Sequence, residues 1–393
     1  MQMPTLVWRL CFFHSSSSHF LLVPSKPIRI FFSFFSSPAK TLSSNSPFFN
    51  YLINSFKLTE TEALSISDRF SGSWVTYPEK PQSVHSLLRE YGFSETQIRS
   101  TVRVLPRILF IDAKKILKPK LEFFKQLGLV DSDLGKFISY NSTLLTVSLE
   151  RKLVPCVEIL KKILVNDKNG EGLIRVLSRC NMVVRKDPQT RLLRNVAFLQ
   201  SCGIVGSQLS ALLKCQPWLF VTSESYLREL VSRVLNMGFS VNSRMLVHAL
   251  YTVSCLSNQT FRKKLDLFGN FGFSEQECVE MFRRAPSLFR ASEEKLKFGI
   301  VFFMNTVKYE KSILVRRPGC LISSMENRVI PRFNVLQVIK LKKLLDKEPS
   351  FYSVLYMTDE EFLDKFISRF TDDAEELLFA YKSHLLDSSE EES

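Results

Sequence analysis

Apolar residues recur along this chain at helical spacing, in blocks that stop and restart every 31–39 residues. The clearest block runs from Gly92 to Gly128. Ile98, Val102 and Leu105 follow at steps of four and three, the period of one helical face. Ser94 stands ahead of them with Gln97 three residues on, the spacing of a capping box. Pro106 ends the stripe, because it has no N–H to donate and its ring clashes with the preceding turn. Ile108 and Leu109 then form a short apolar plug. A second helix is expected to enter through Pro119, a residue tolerated in a first turn. It would bury Leu121, Phe124 and Leu127 and close at Gly128.

The unit repeats. Ile98, Leu134, Leu209 and Cys278 share one register, and Val102, Ile138, Leu213 and Phe282 share the next. The plugs are Ile108/Leu109, Leu144/Leu145, Leu219/Phe220 and Leu288/Phe289. Weaker copies put the eight breaks at residues 106, 142, 181, 217, 252, 286, 318 and 349. Pro119, Pro155 and Pro331 each fall 13 residues after a break. One such hairpin cannot bury its apolar faces alone, whereas stacked copies can. The pattern therefore predicts an all-α fold, an α-solenoid of degenerate repeats.

The flanks differ in composition. Residues 1–45 contain no acid, many serines and the bases Arg9, Lys26, Arg29 and Lys40. That is the composition of an organellar transit peptide, expected to be mitochondrial with the chloroplast as alternative. Residues 46–80 read as a helical lead-in with a turn at Leu58-Thr59 and a linker from Gly72 to Pro81. The repeat solenoid is expected over 81–345 and a C-terminal helical cap over 346–386, with Phe362, Phe366, Phe370, Leu377 and Leu378 facing in. Residues 387–393 read as an acidic tail without structure. Two repeats are irregular: the third carries a polar insertion at 166–172, and the fifth has no proline break. No stretch is long and apolar enough for a membrane span.

Charge changes this picture. The chain's net charge is +14. Residues 358–393 hold 12 acids and 3 bases, whereas residues 60–357 hold 27 acids and 45 bases. The basic excess therefore lies on the repeats, which points to a polyanionic partner. The eight cysteines form no C-x-x-C pair and several sit on apolar stripes, so buried free thiols are expected.

No catalytic constellation emerges. Gly170 and Gly172 lack the Gly-Lys-Ser/Thr of a phosphate loop. The five histidines are scattered, and His248 reads as a packed residue on an apolar helix. No His/Cys cluster has zinc spacing. Glu293-Glu294 and Glu360-Glu361 are acids at helix starts, where the dipole favours them. The reading is a non-enzymatic monomer with no cofactor, metal or small-molecule substrate.

The basic clusters remain as candidate binding residues. Arg103 and Arg107 bracket Pro106, and Lys114, Lys115, Lys118 and Lys120 lead into the next helix. Arg175, Arg179, Arg185, Lys186, Arg191 and Arg194 form the densest run. Arg262, Lys263 and Lys264 follow, then Arg283, Arg284 and Arg290, then Arg316 and Arg317, then Arg328 and Arg332. Arg283/Arg284 and Arg316/Arg317 precede their breaks and are expected to line one edge. Contacts of this kind to phosphates fix position without reading sequence.

The unit GFS-x-x-x-I-x-x-x-V-x-x-x-P-x-x-L-F followed by KPKLEFF resembles the mitochondrial transcription termination factor (mTERF) family. So do GFSEQECVEMFRRAPSLF, RRPGCLISSMENRVIPRFNVLQVI and DEEFLDKFISRFTDDAEELLFAYK, and NYLINSFKLTETEAL is similar to the segment before the repeats in land-plant members. The resemblance covers about residues 48–385. It implies repeats of two α-helices and a short 3-10 turn, stacked in a left-handed curved solenoid. It also implies an organellar protein that binds nucleic acid, usually double-stranded DNA, along a basic concave path. Roles in transcription termination or initiation, or in RNA processing, come with it, as does contact with organellar transcription machinery. No motif carries the family's base-contacting positions, so none is transferred. Two other readings stay open here: structured RNA as the ligand, and a scaffold that binds an acidic protein.

Overall fold

The computed structural model describes residues 46–185, 188–241 and 243–390, with side chains at 188, 189 and 383–390 left out. The expected transit segment 1–45, candidate Lys186 and the last three residues lie outside the described residues. Every described element is helical. From Pro47 onward the chain packs as one unit.

Seven first helices form a continuous row: Glu95–Val104, Asp131–Asn141, Glu171–Arg179, Gly206–Cys215, Met245–Cys255, Glu275–Arg284 and Lys311–Arg316. Each packs against the next. A break follows each except Met245–Cys255, and five of the plugs are sealed: Ile108, Leu109, Leu144, Leu145, Val183, Val184, Leu219, Phe220, Leu288 and Phe289 have no exposed surface. A second helix then returns. The apolar stripes thus meet between rows and between neighbouring repeats, as a stack of marginal hairpins requires.

The start of each second helix sets the register. Six residues after the break, Asp112, Ser148, Ser257, Ser292, Ser324 and Thr358 each accept the backbone N–H three residues on. Such a cap satisfies an N–H that the first turn leaves without a partner. This register moves two expected breaks, from 252 to 251 and from 349 to 352. It also corrects the expected helix start at Pro119. The helix begins at Ala113, capped by Asp112, so Pro119 stands in its second turn. There the proline cannot donate to the preceding turn. The chain widens instead, with Leu117 and Lys118 donating to the carbonyls of Asp112 and Ala113, five residues back. The same wide turn, Leu149–Leu153 and Met325–Val329, precedes Pro155 and Pro331.

Other departures have local causes. The expected linker from Gly72 to Pro81 is mostly helix. Glu60–Thr76 runs through Gly72, and Lys80–Glu90 restarts with Pro81 in its first turn. Trp74 stacks on Phe48 at 4.8 Å and Phe48 meets Phe110 of the first plug, so burial overrides the glycine. In the third repeat the Asp167 carboxylate accepts the N–H groups of Gly172 and Leu173, which turns the polar insertion into a helix cap. In the fifth, Met245–Cys255 continues through the break as one helix. At the C-terminus Ala374–Glu390 packs on Ile330–Leu341. Phe362, Phe366 and Leu377 are buried and Phe370 is half-buried, but Leu378 is exposed, contrary to the expected inward face. This helix also continues to Glu390, into the stretch expected to lack structure. Among the described residues no helix is long and apolar enough to cross a membrane.

Candidate nucleic-acid interface

The short turn after each first helix ends in carbonyls that no helical N–H can reach. Across most seams a side chain from the preceding second helix donates to them. Lys120 Nζ reaches the Leu145 carbonyl at 2.6 Å, and Lys152 Nζ and Cys156 Sγ reach those of Arg185 and Val183. Asn195 Nδ2 bonds the Leu219 and Thr222 carbonyls at 3.2 and 3.0 Å. Lys264 Nζ bonds Ala291 at 2.8 Å, and Lys295 Nζ bonds Ile322 at 2.7 Å. Burial lowers the proton affinity of Lys120, Lys264 and Lys295. The seam between repeats four and five has no such donor to a carbonyl among the described residues. Its second partner is the unbroken helix Met245–Cys255, whose mid-helix carbonyls are already bonded.

This pattern reassigns three candidates. Arg332 is fully buried. Its guanidinium donates to the Val354 and Met357 carbonyls at 2.6 and 2.9 Å and to Asp359 at 2.5 Å. Burial, and then the adjacent Arg328, pull its proton affinity down, while Asp359 opposes them. Arg328 donates to the Leu355 and Met357 carbonyls and pairs with Asp359 at 3.2 Å. Lys264 is buried on Ala291. These three seal seams and are unavailable to a ligand, and Lys120 joins them for the same reason. Arg284 remains exposed but is tied to Glu280 at 2.6 Å and also reaches the Arg316 carbonyl of the next repeat.

Twelve candidates are exposed and have no carboxylate partner among the described residues: Arg103, Arg107, Arg175, Arg179, Arg185, Arg191, Arg194, Arg262, Lys263, Arg283, Arg316 and Arg317. Seven of them flank the breaks, at the C-terminal rim of the first helices. There Arg107 reaches Thr146 Oγ1 of the next repeat at 3.0 Å. Arg179 caps the Lys214 and Cys215 carbonyls, and Arg317 lies 3.9 Å over the Tyr352 ring. Carbonyl and ring contacts steer these side chains without cancelling their charge. Arg283 and Arg316, expected to line one edge, are offset by one register position. Arg284 and Arg316 are the equivalent pair. Arg191 and Arg194 do not share a register with Arg262 and Lys263, so the second-helix cations form no single line.

The corrected register adds residues to this rim. Arg103, Lys214, His248 and Arg283 each stand three before a break, and His248 is exposed beside Arg290 rather than packed. Burial, then Arg290, hold the His248 imidazole below its ordinary pKa. Tyr140 is 77% exposed and Trp218 43% exposed on the same rim. The signal that would have exposed this alignment in the sequence is the capping Ser, Thr or Asp six residues after each break.

The mTERF family model matches residues 86–180, 169–268 and 242–363. The chain is similar to transcription termination factor MTERF8, chloroplastic, of Arabidopsis thaliana. The two are 20% identical over 229 residues, 58% of this chain and 45% of that protein. It is also similar to transcription termination factor MTERF15, mitochondrial, of the same plant, at 18% identity over 271 residues, 67% of this chain and 50% of that protein. The chain thus matches about half the length of these curated relatives.

Proposed function

The chain belongs to the mTERF family, and from that premise we propose that it binds double-stranded DNA in an organelle through the rim of its first helices. Members of this family are in general nucleic-acid-binding regulators of organellar gene expression. The mechanism proposed is occupancy: the bound array blocks or positions transcription machinery and carries out no reaction. The observation that supports it is the set of twelve exposed cations without carboxylate partners among the described residues, most of them at the C-terminal ends of packed first helices. Each phosphate contact releases counterions, so affinity should fall with salt at about 0.9 log units per contact and log unit of salt.

The test is binding of the full chain to organellar duplex fragments across salt. A slope steeper than about −4, with one sequence recovered over bulk, is the expected result. A flat salt response would remove the proposal. Structured RNA is the second ligand class. The exposed rings of Tyr140 and Trp218 favour it, since aromatic faces stack unpaired bases. Preference for structured RNA with unpaired loops over duplex DNA competitors in the same assay would select it.

Both organelles occur among the relatives. The leader composition supports mitochondrial import, which a fluorescent fusion of residues 1–60 would check.

A further inference from the structure

We propose that Cys215 and Cys255 form a reversible disulfide across the seam between repeats four and five. The two residues end neighbouring first helices, Gly206–Cys215 and Met245–Cys255, which pack side by side. The side chain of Gln216, one residue beyond Cys215, lies on the partner helix end. Its amide donates to Ser254 Oγ at 3.1 Å and to Cys255 Sγ at 3.6 Å. A disulfide requires Cα atoms about 4.4–6.8 Å apart, so helix ends held in contact are its geometric precondition.

Access agrees. Cys255 is exposed and Cys215 is half-buried, whereas Cys156, Cys180, Cys278 and Cys320 are buried. The expectation of buried free thiols therefore fails at Cys255, while Cys202 and Cys215 are half-buried. Burial raises the Cys255 thiol pKa above its ordinary value, and Ser254, Arg290 and Tyr251 offset that only in part. The Cys215 thiol is close enough to act on Cys255 electrostatically. Among the described residues the seam is also the one with no donor from a second helix to the next repeat's carbonyls; Gln208 of the first helix donates to the Ser243 carbonyl at 3.2 Å. A covalent bond would supply the tie that Lys264 or Arg332 supplies elsewhere, and only under oxidising conditions.

The chemistry is thiol–disulfide exchange with a small disulfide such as oxidised glutathione. The Cys255 thiolate attacks one sulfur, its new S–S bond forms as the old one breaks, and one glutathione thiolate leaves. The Cys215 thiolate then attacks the mixed disulfide at the Cys255 sulfur and releases the second glutathione. Two protein thiols are oxidised, one disulfide is reduced to two thiols, and the two protein protons pass to the released thiolates.

The inference does not depend on what the array binds. The test treats the reduced full chain with oxidised glutathione and maps peptides under non-reducing conditions. The expected product is a peptide pair joined through Cys215 and Cys255. Its Tm should rise above that of the reduced chain, a shift reversed by dithiothreitol and missing in Cys215→Ser, where Cys255 ends as a glutathione adduct. Recovery of Cys255 from the wild-type chain only as that adduct, or of either cysteine joined to another thiol, would overturn it.

Discussion

In repeat three the residue fourteen positions after the break is Asn195; in repeat seven it is Arg332. Ten positions after the break the two repeats carry Arg191 and Arg328. The elements are the same, and so are the carbonyls of the next repeat that need donors. In repeat seven both cations serve those carbonyls and share Asp359, so two positive charges are spent inside the fold. In repeat three the neutral Asn195 amide serves two carbonyls, and Arg191 and Arg194 stay exposed. Buried carbonyls must be paired, but a neutral donor does this as well as a charged one. A seam closed by an amide therefore leaves its cations free for a ligand.

The comparison can be tested from the largest effect downward. Arg332→Met strands the Val354 carbonyl and leaves the Met357 carbonyl and Asp359 to Arg328, and should cost about 2–3 kcal/mol in urea unfolding. It should leave the salt slope of DNA binding unchanged. The double change Arg191→Ala and Arg194→Ala should do the reverse. The slope should fall by about 2 and the affinity by about tenfold or more, with stability held within about 0.5 kcal/mol. Stability lost in this variant without any change in slope would break the comparison.

Lys263 and Lys264 sharpen it between adjacent residues. Lys264→Met should cost about 1–2 kcal/mol and spare the slope, while Lys263→Ala should lower the slope by about 0.9 and spare stability.

A smaller effect concerns pH at the seam of repeats six and seven. The backbone N–H of Ser274 and then Lys311 hold the Glu277 carboxyl below its ordinary pKa. Its folded form binds a proton less readily than its unfolded form. The stabilisation is present above about pH 4.5 and is lost as pH falls through the folded value. Glu277→Gln should be less stable than wild type at neutral pH, and the gap should close on acidification in thermal melts. The smallest effect is expected at Ser142, whose buried hydroxyl has no hydrogen-bond partner among the described residues. Ser142→Ala should be neutral or stabilising by up to about 1 kcal/mol in the same melts.

The helices and their plugs were legible because apolar period and proline placement are local signals. Ile98, Val102, Ile108 and Leu109 carry the same message in sequence and in the packed core. The proposed binding face was legible only as charge. Lys263 and Lys264 are indistinguishable in a string of bases, yet one faces water and the other reaches Ala291, 27 residues away. Leu378 was misplaced for a related reason: the terminal helix lies on Ile330–Leu341, and its inward face was set by that contact rather than by its own period.

The sequence by itself determined that this chain is a stack of helical repeats with a basic surplus, since each unit's apolar stripe is too small to be buried alone. Which cations form the surplus that a ligand can meet was decided by the tertiary structure. Stacking brings each second helix over the next repeat's unpaired carbonyls, and whatever side chain stands there must answer them first.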